Sequence, residues 1–120
     1  MTFKRICVLL WIVSALIFSG CKLSEAREVV TRSREREKSA KALAHYAMGI
    51  IYDNGRTPEL ARDEFIKSLE FNPDSERAHL RLGMDYLSLE ESEKAIGEFE
   101  AVKKLDPKNS EARFLLGLVY

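Results

Sequence analysis

Few side chains in this sequence could do chemistry, and their spacing argues against most of the chemistry available to them. The two histidines, His45 and His79, are followed by closely matching stretches of chain, which invites a shared metal ion. At equivalent places on successive packed helices they would sit one packing step apart, about 8–10 Å, too far for one ion to bridge comfortably. No cysteine or third ligand accompanies them, and zinc sites are built from several such ligands. Both cysteines, Cys7 and Cys21, fall near the N-terminus, so no disulfide framework holds the rest of the chain. The carboxylates Glu90, Glu91 and Glu93 are scattered at a turn and on exposed helix faces, where they serve solubility. There is no Ser/His/Asp order with supporting glycines, no phosphate loop and no H-E-x-x-H. The sequence therefore predicts no catalytic residue, no metal, no cofactor and no small-molecule substrate, and the chain is expected not to be an enzyme.

With 120 residues the chain is long enough for one small domain. Its 19 basic and 19 acidic residues balance, but the balance is uneven along the chain. Residues 22–41 carry seven basic and four acidic side chains, whereas residues 42–120 carry ten and fifteen. A mildly acidic body behind a basic segment lacks the basic stripe that a nucleic-acid partner requires.

Residues 1–20 read as an address. Lys4 and Arg5 precede a run from Ile6 to Phe18 that is apolar except for Ser14, the layout of a secretory signal. The run is short for a membrane span, which takes about 20 apolar residues. It ends Leu16-Ile17-Phe18-Ser19-Gly20-Cys21. Small residues directly before a cysteine resemble the lipobox of bacterial lipoproteins, with Phe18 standing where leucine is usual. The resemblance implies cleavage before Cys21, acylation of that residue, and attachment to the membrane through a lipid anchor. Several acyl chains make a stable anchor, since each buried CH₂ contributes about 0.8 kcal/mol. Lys22, rather than Asp, follows the cysteine, which in the enterobacterial sorting pattern implies the outer membrane facing the periplasm.

Residues 21–41 are read as a charged helical stalk or linker. Leu23, Ala26, Val29 and Val30 form a short apolar stripe at helical spacing. Either this stretch packs against the domain behind it, or it is a solvated spacer laced by i,i+4 ion pairs. Its basic run would also suit contact with anionic lipid head groups.

From residue 42 onward the chain repeats itself at one constant interval. Met48-Gly49, Leu82-Gly83 and Leu116-Gly117 align, as do Tyr52, Tyr86 and Tyr120. Ala44, Ala78 and Ala112 coincide, Ala61 falls on Ala95, Phe65 on Phe99, and Asn72-Pro73 on Asp106-Pro107. This pattern resembles the tetratricopeptide repeat (TPR), whose period is about 34 residues. It departs from it at His45 and His79, where tryptophan is common, and at Ser68 and Val102, where a small residue is expected. The fold class expected is all-α: a TPR domain over 42–120, with one repeat at 42–75, a second at 76–109 and the first helix of a third at 110–120. Gly49, Gly83 and Gly117 are read as points where two helices approach closely, each costing about 1 kcal/mol of helix propensity. Ala61 and Ala95 serve the same approach from the second helix. Thr57 is expected to cap the helix that Pro58 begins, and Pro73 and Pro107 to stop the second helices.

In this family partners lie in a concave groove lined by the first helix of each repeat. Carried over, the groove residues are Leu43, Tyr46 and Ile50, then Arg77, Leu80, Met84 and Leu87, then Phe114 and Leu118. Mostly apolar, with an aromatic and a methionine, this lining suits an amphipathic helix or an extended peptide. The Lys/Asn pattern by which chaperone-type members clamp a C-terminal carboxylate is absent. The last stretch, EARFLLGLVY, is strongly apolar for a terminal repeat. Either a partner covers it, or a second copy does and the chain is a homo-oligomer, or the chain is the N-terminal piece of a longer protein. The resemblances together imply a membrane-anchored adaptor that binds an envelope protein or a peptide segment of one, built like the pilotins that serve pilus or secretion assembly. The competing expectation is the docking end of a longer TPR-containing enzyme or export component.

Overall fold

The computed structural model describes the backbone of residues 2–120 and their side chains except residues 2 and 16–22. Cys21, the residue expected to carry lipid, therefore lies outside the described side chains. Among the described residues there are five helices and no strand: α1 (Thr2–Asn54), α2 (Pro58–Phe71), α3 (Glu76–Ser88), α4 (Ser92–Leu105) and α5 (Ser110–Val119). The chain divides into two units, Met1–Arg36 and Glu37–Tyr120.

In the first unit the apolar side chains that are described lie open. Phe3 is 81% and Trp11 76% exposed, and Leu23, Val29 and Val30 are exposed as well. Arg32 and Glu28 form an i,i+4 ion pair at 3.1 Å. Among the described residues no helix is long and apolar enough to cross a membrane.

The second unit is a stack of antiparallel helices whose breaks follow from local chemistry. With Pro58 at its first turn, α2 needs no amide there. The carboxamide of Asn109 accepts from the Ala112 amide at 2.8 Å and so opens α5, while Ser75 accepts from the Ala78 amide at the start of α3. Thr57 departs from expectation: its hydroxyl makes no cap bond to α2 and donates instead to the Tyr52 carbonyl at 3.0 Å. The hydroxyl thus finishes α1, because that carbonyl has lost its helical partner and lies within reach. Thr57 still occupies the N-cap position of α2, and its carbonyl accepts from the Ala61 amide at 3.1 Å.

The two α–α corners inside the hairpins are copies of each other. Thr57 N–H donates to the Tyr52 carbonyl at 3.1 Å, and Glu91 N–H to the Tyr86 carbonyl at 2.8 Å. Each corner puts a side-chain-bearing residue in the left-handed region, Arg56 at φ 58 and Glu90 at φ 61. That conformation costs an L-residue roughly 1–2 kcal/mol, and glycine is the usual occupant at such a corner. Glu90→Gly is expected to raise stability by about 0.5–1 kcal/mol, the larger entropy of unfolded glycine offsetting part of the gain. Urea unfolding checks this, and a lower midpoint in the variant would contradict it.

The core repeats with the sequence. Ala61, Phe65, Ala95 and Phe99 are fully buried, Leu82 and Leu116 nearly so. Gly49 and Gly83 are the close approaches expected: a Cβ on Gly49 would lie 2.6 Å from Cε1 of Phe65, and one on Gly83 would meet the Phe99 ring in the same way. Gly117 is not such a point, contrary to what its register implies. Nothing lies within 4 Å of where its Cβ would be, since among the described residues no helix packs on that side of α5. Tyr120 is correspondingly 83% exposed, where its counterpart Tyr86 is buried.

Ser68 and Val102, which depart from the small residue expected, are both buried. Ser68 is satisfied by donating its hydroxyl to the Ala42 carbonyl of α1 at 2.8 Å, as a buried polar group requires.

Candidate partner-binding groove

The nine groove residues fall into rows set by the repeat. Leu43 and Arg77 are equivalent, as are Tyr46, Leu80 and Phe114, and Ile50, Met84 and Leu118. Within each helix they are spaced three or four apart, which places them on one face. Leu43, Met84, Phe114 and Leu118 are exposed, at 67%, 37%, 66% and 65%. Tyr46, Ile50, Leu80 and Leu87 are half-buried and pack on the core cluster; Tyr46 lies 5.6 Å from the Phe65 ring, centroid to centroid. The surface thus has a floor of half-buried side chains held by the core and a rim of exposed apolar ones.

One part of it is concave. A pocket of ≈ 260 Å³ is lined by Ser39, Ala42, Leu43 and Tyr46 of α1, Ser68 and Asn72 at the end of α2, and Ser75 and Arg77 at the start of α3. Three of the nine predicted residues, Leu43, Tyr46 and Arg77, meet there.

The histidines have a role that their spacing did not announce. Nδ1 of His45 lies 2.7 Å from Oε2 of Glu64, and Nδ1 of His79 lies 2.6 Å from Oε2 of Glu98. Glu64 and Glu98 are themselves equivalent in the two repeats, so each hairpin carries the same His–Glu strut between its helices. Matching the repeats for opposite-charge pairs, and not only for apolar positions, is the signal that finds it. Nε2 of His79 also lies 2.8 Å from the Pro73 carbonyl, so both ring nitrogens donate when the ring is charged. The hydrogen bond to Glu98 raises the His79 pKa, opposed by burial and helped by the Pro73 carbonyl. His45 and Lys67 hold Glu64 below the usual carboxylate range. Among the described residues no group of three or more His, Cys, Asp or Glu is placed to hold a metal ion.

The signs of the two shifts differ in consequence. A raised histidine pKa adds stability that is complete below about pH 6.5, the unfolded value, and is lost as pH rises through the folded one. A depressed glutamate pKa adds stability above its unfolded value that is lost as pH falls through the folded one. His79→Gln is expected to cost about 1–2 kcal/mol at pH 6 and less at pH 8. Thermal melting at both pH values reads this, and an equal loss at the two would contradict it.

A third unforeseen group sits between the hairpins. Asp85 is 3% exposed, and its Oδ2 has no hydrogen-bond partner. Burial pushes its carboxyl up to about 7, and Asp53 adds to the rise, while Arg81 and Arg62 oppose it. Neither arginine is free to neutralise it. Arg81 pairs with Asp53 at 3.3 Å, and Arg62 with Asp63 at 2.8 Å and Glu91 at 3.7 Å. Its register mates are Ile51 and Val119, so a charged residue in an apolar row was the available signal.

No protein-family model matches this sequence, and no curated protein matches it. Solved structures do. The chain is similar to MamA, with a TM-score of 0.66 and 26% identity over 69% of this chain and 48% of that one. It is similar to the second TPR domain of human RPAP3 in complex with an HSP70 peptide, with a TM-score of 0.63 and 24% identity over 67% of each chain. It is also similar to the first TPR of Spaghetti (RPAP3) bound to an HSP90 peptide, with a TM-score of 0.63 and 22% identity. There the match covers 65% of this chain and 62% of that one, so the chain spans under two thirds of that domain and about half of MamA. These likenesses show the TPR fold: two helical hairpins followed by one further helix.

Proposed function

We propose that this chain is a lipid-anchored TPR scaffold of the bacterial envelope that holds a segment of another protein in the groove of α1, α3 and α5. The observation that carries the reading is the row of apolar side chains exposed along those helices, Leu43, Met84, Phe114 and Leu118. Water-exposed apolar rows are retained where a partner covers them, and two TPR domains similar to this chain are bound to peptides. Anchoring through Cys21 rests on the sequence around it and on the exposed apolar run of the N-terminal unit, which requires a membrane or a processing enzyme to receive it. The outer membrane facing the periplasm is the side that Lys22 favours. A pilotin-like role in assembling a pilus or secretion complex is the most specific form of this reading, and a docking role within a longer export component is its alternative.

Photo-crosslinking in cells from position 84, with the protein at native level, tests the proposal. The expected result is one dominant envelope partner, lost in Leu80→Glu and lost from the membrane fraction in Cys21→Ser. Absence of any crosslink other than to a second copy would sink the groove reading. The apolar side chains exposed on α5, Phe114 and Leu118, favour a second reading in which another copy packs on that helix. Sedimentation of the wild type and Tyr120→Asp decides it: a dimer that the variant abolishes is expected, and a monomeric wild type excludes it.

A further inference from the structure

The pocket at the junction of α1, α2 and α3 has a composition unlike the rest of the groove. Elsewhere the predicted lining is apolar; here Arg77 stands among the side chains of Ser39, Tyr46, Asn72 and Ser75. No acidic residue lines it. The basic groups of the folded unit mostly have carboxylates of their own: Arg81 has Asp53, Arg62 has Asp63 and Glu91, and Lys41 has Glu37. Arg77 has none, and among the described residues neither its guanidinium, the Asn72 carboxamide, the Tyr46 hydroxyl nor the Ser39 hydroxyl has a hydrogen-bond partner. The pocket therefore gathers unpaired donors around one cation, with Leu43 and the Tyr46 ring as an apolar wall. At ≈ 260 Å³ it falls below the roughly 300–1,000 Å³ of sites for free small ligands, and it has room for one side chain.

We propose that this pocket receives the carboxylate side chain of an Asp or Glu in the docked segment, with apolar residues of that segment lying along Met84, Phe114 and Leu118. Guanidinium is the suitable cation, because its planar donors meet both oxygens of a carboxylate. The neutral donors then complete the remaining acceptor positions. The acidic residue sets the register of an otherwise apolar contact, since sliding the segment would leave the charge against hydrocarbon. This inference rests on the groove reading, and its test separates the two.

The full-length protein in detergent micelles is probed with an array of peptides blocked at both ends, each with one Glu among apolar residues, beside its Glu→Gln twin. End-blocking removes any contribution from a terminal carboxylate. The expected result is that Glu peptides bind about tenfold more tightly than their Gln twins, a preference abolished by Arg77→Gln and partly kept by Arg77→Lys. Arg77→Gln should keep the melting temperature of the parent, because the side chain it replaces is exposed, so a lost Glu preference reads the pocket and not the fold. Peptides bound equally well with Glu or Gln, or a preference that survives Arg77→Gln, would overturn the pocket assignment and leave the groove standing. Binding of no peptide at all would overturn both. Vesicles containing anionic lipid that bind through Arg77 while peptides show no Glu preference would assign the pocket to a head group instead and overturn the inference.

Discussion

At pH 8, Asp85→Asn is expected to unfold at a higher temperature than the parent, by roughly 5–15 °C. The reason is linkage. The Asp85 carboxyl titrates near 7 in the folded protein, against an ordinary value of 3.8. Between those values the folded state holds a proton that the unfolded state has released, so stability falls as pH rises through this window. Each pH unit between them is worth about 1.4 kcal/mol, so the full penalty above pH 7 reaches about 4 kcal/mol. Asparagine removes the charge but leaves a buried amide in the same place, at about 1–3 kcal/mol if it finds no partner. The net gain is then about 2 kcal/mol, and 1 kcal/mol shifts the midpoint of a domain this size by about 4–8 °C. Asp85→Val, which restores the row of Ile51 and Val119, should gain at least as much. Circular-dichroism melting at pH 5 and pH 8 provides the check. The parent should lose stability between the two pH values more steeply than either variant. His79 contributes to that slope in every case, so the diagnostic is the difference between proteins. Parallel pH profiles, or a lower midpoint for Asp85→Asn at pH 8, would show that the carboxyl is not held neutral by burial.

The second large effect is a contrast between two glycines at equivalent places. Gly83→Ala should lower stability by about 2–3 kcal/mol, while Gly117→Ala should be neutral or raise it by up to about 1 kcal/mol. Alanine gains helix propensity at both positions. At Gly83, however, its methyl would meet the Phe99 ring, lying 2.8 Å from Cδ1 and 2.9 Å from Cζ. Phe99 is fully buried and cannot swing aside, so α4 has to move off α3. Overpacking of this kind outweighs the propensity gain. At Gly117 nothing is within 4 Å. Urea unfolding of the two variants at one pH measures the contrast. Equal destabilisation would mean that the open side of α5 is occupied in solution, as the second-copy reading requires, and the sedimentation experiment would then identify the occupant.

Much of this architecture was readable from spacing alone. A constant repeat interval, with alanine, glycine and phenylalanine recurring at fixed offsets, specifies helical hairpins because those sizes are what two close-packed helices demand. The fully buried Ala61, Phe65, Ala95 and Phe99 are the same residues that the repeat brings into register. The groove rows follow from the same arithmetic, since equivalent positions on successive first helices must lie side by side. The proposed address in residues 1–20, and Cys21 with it, rests on composition and order alone.

What the sequence did not disclose are contacts in which two distant residues complete each other's chemistry. The His45–Glu64 and His79–Glu98 struts, at 2.7 and 2.6 Å, each join one helix of a hairpin to the other, and neither partner has a character that announces the other. The Thr57 hydroxyl bonds the helix before it rather than the one after it, because which backbone group lies unpaired within reach is a matter of chain path. Gly117 carries the mark of a close approach, yet among the described residues nothing lies within 4 Å of its Cβ position. Asp85 reads as a surface residue by type and is buried by the stacking of one hairpin on the next. The pocket beside Arg77 exists only where three helices converge. Periodicity by itself determined which residues face inward, since apolar burial depends on position along a helix. Tertiary structure alone decided which polar groups are satisfied, because a hydrogen bond depends on distance and direction between atoms that the chain order does not relate.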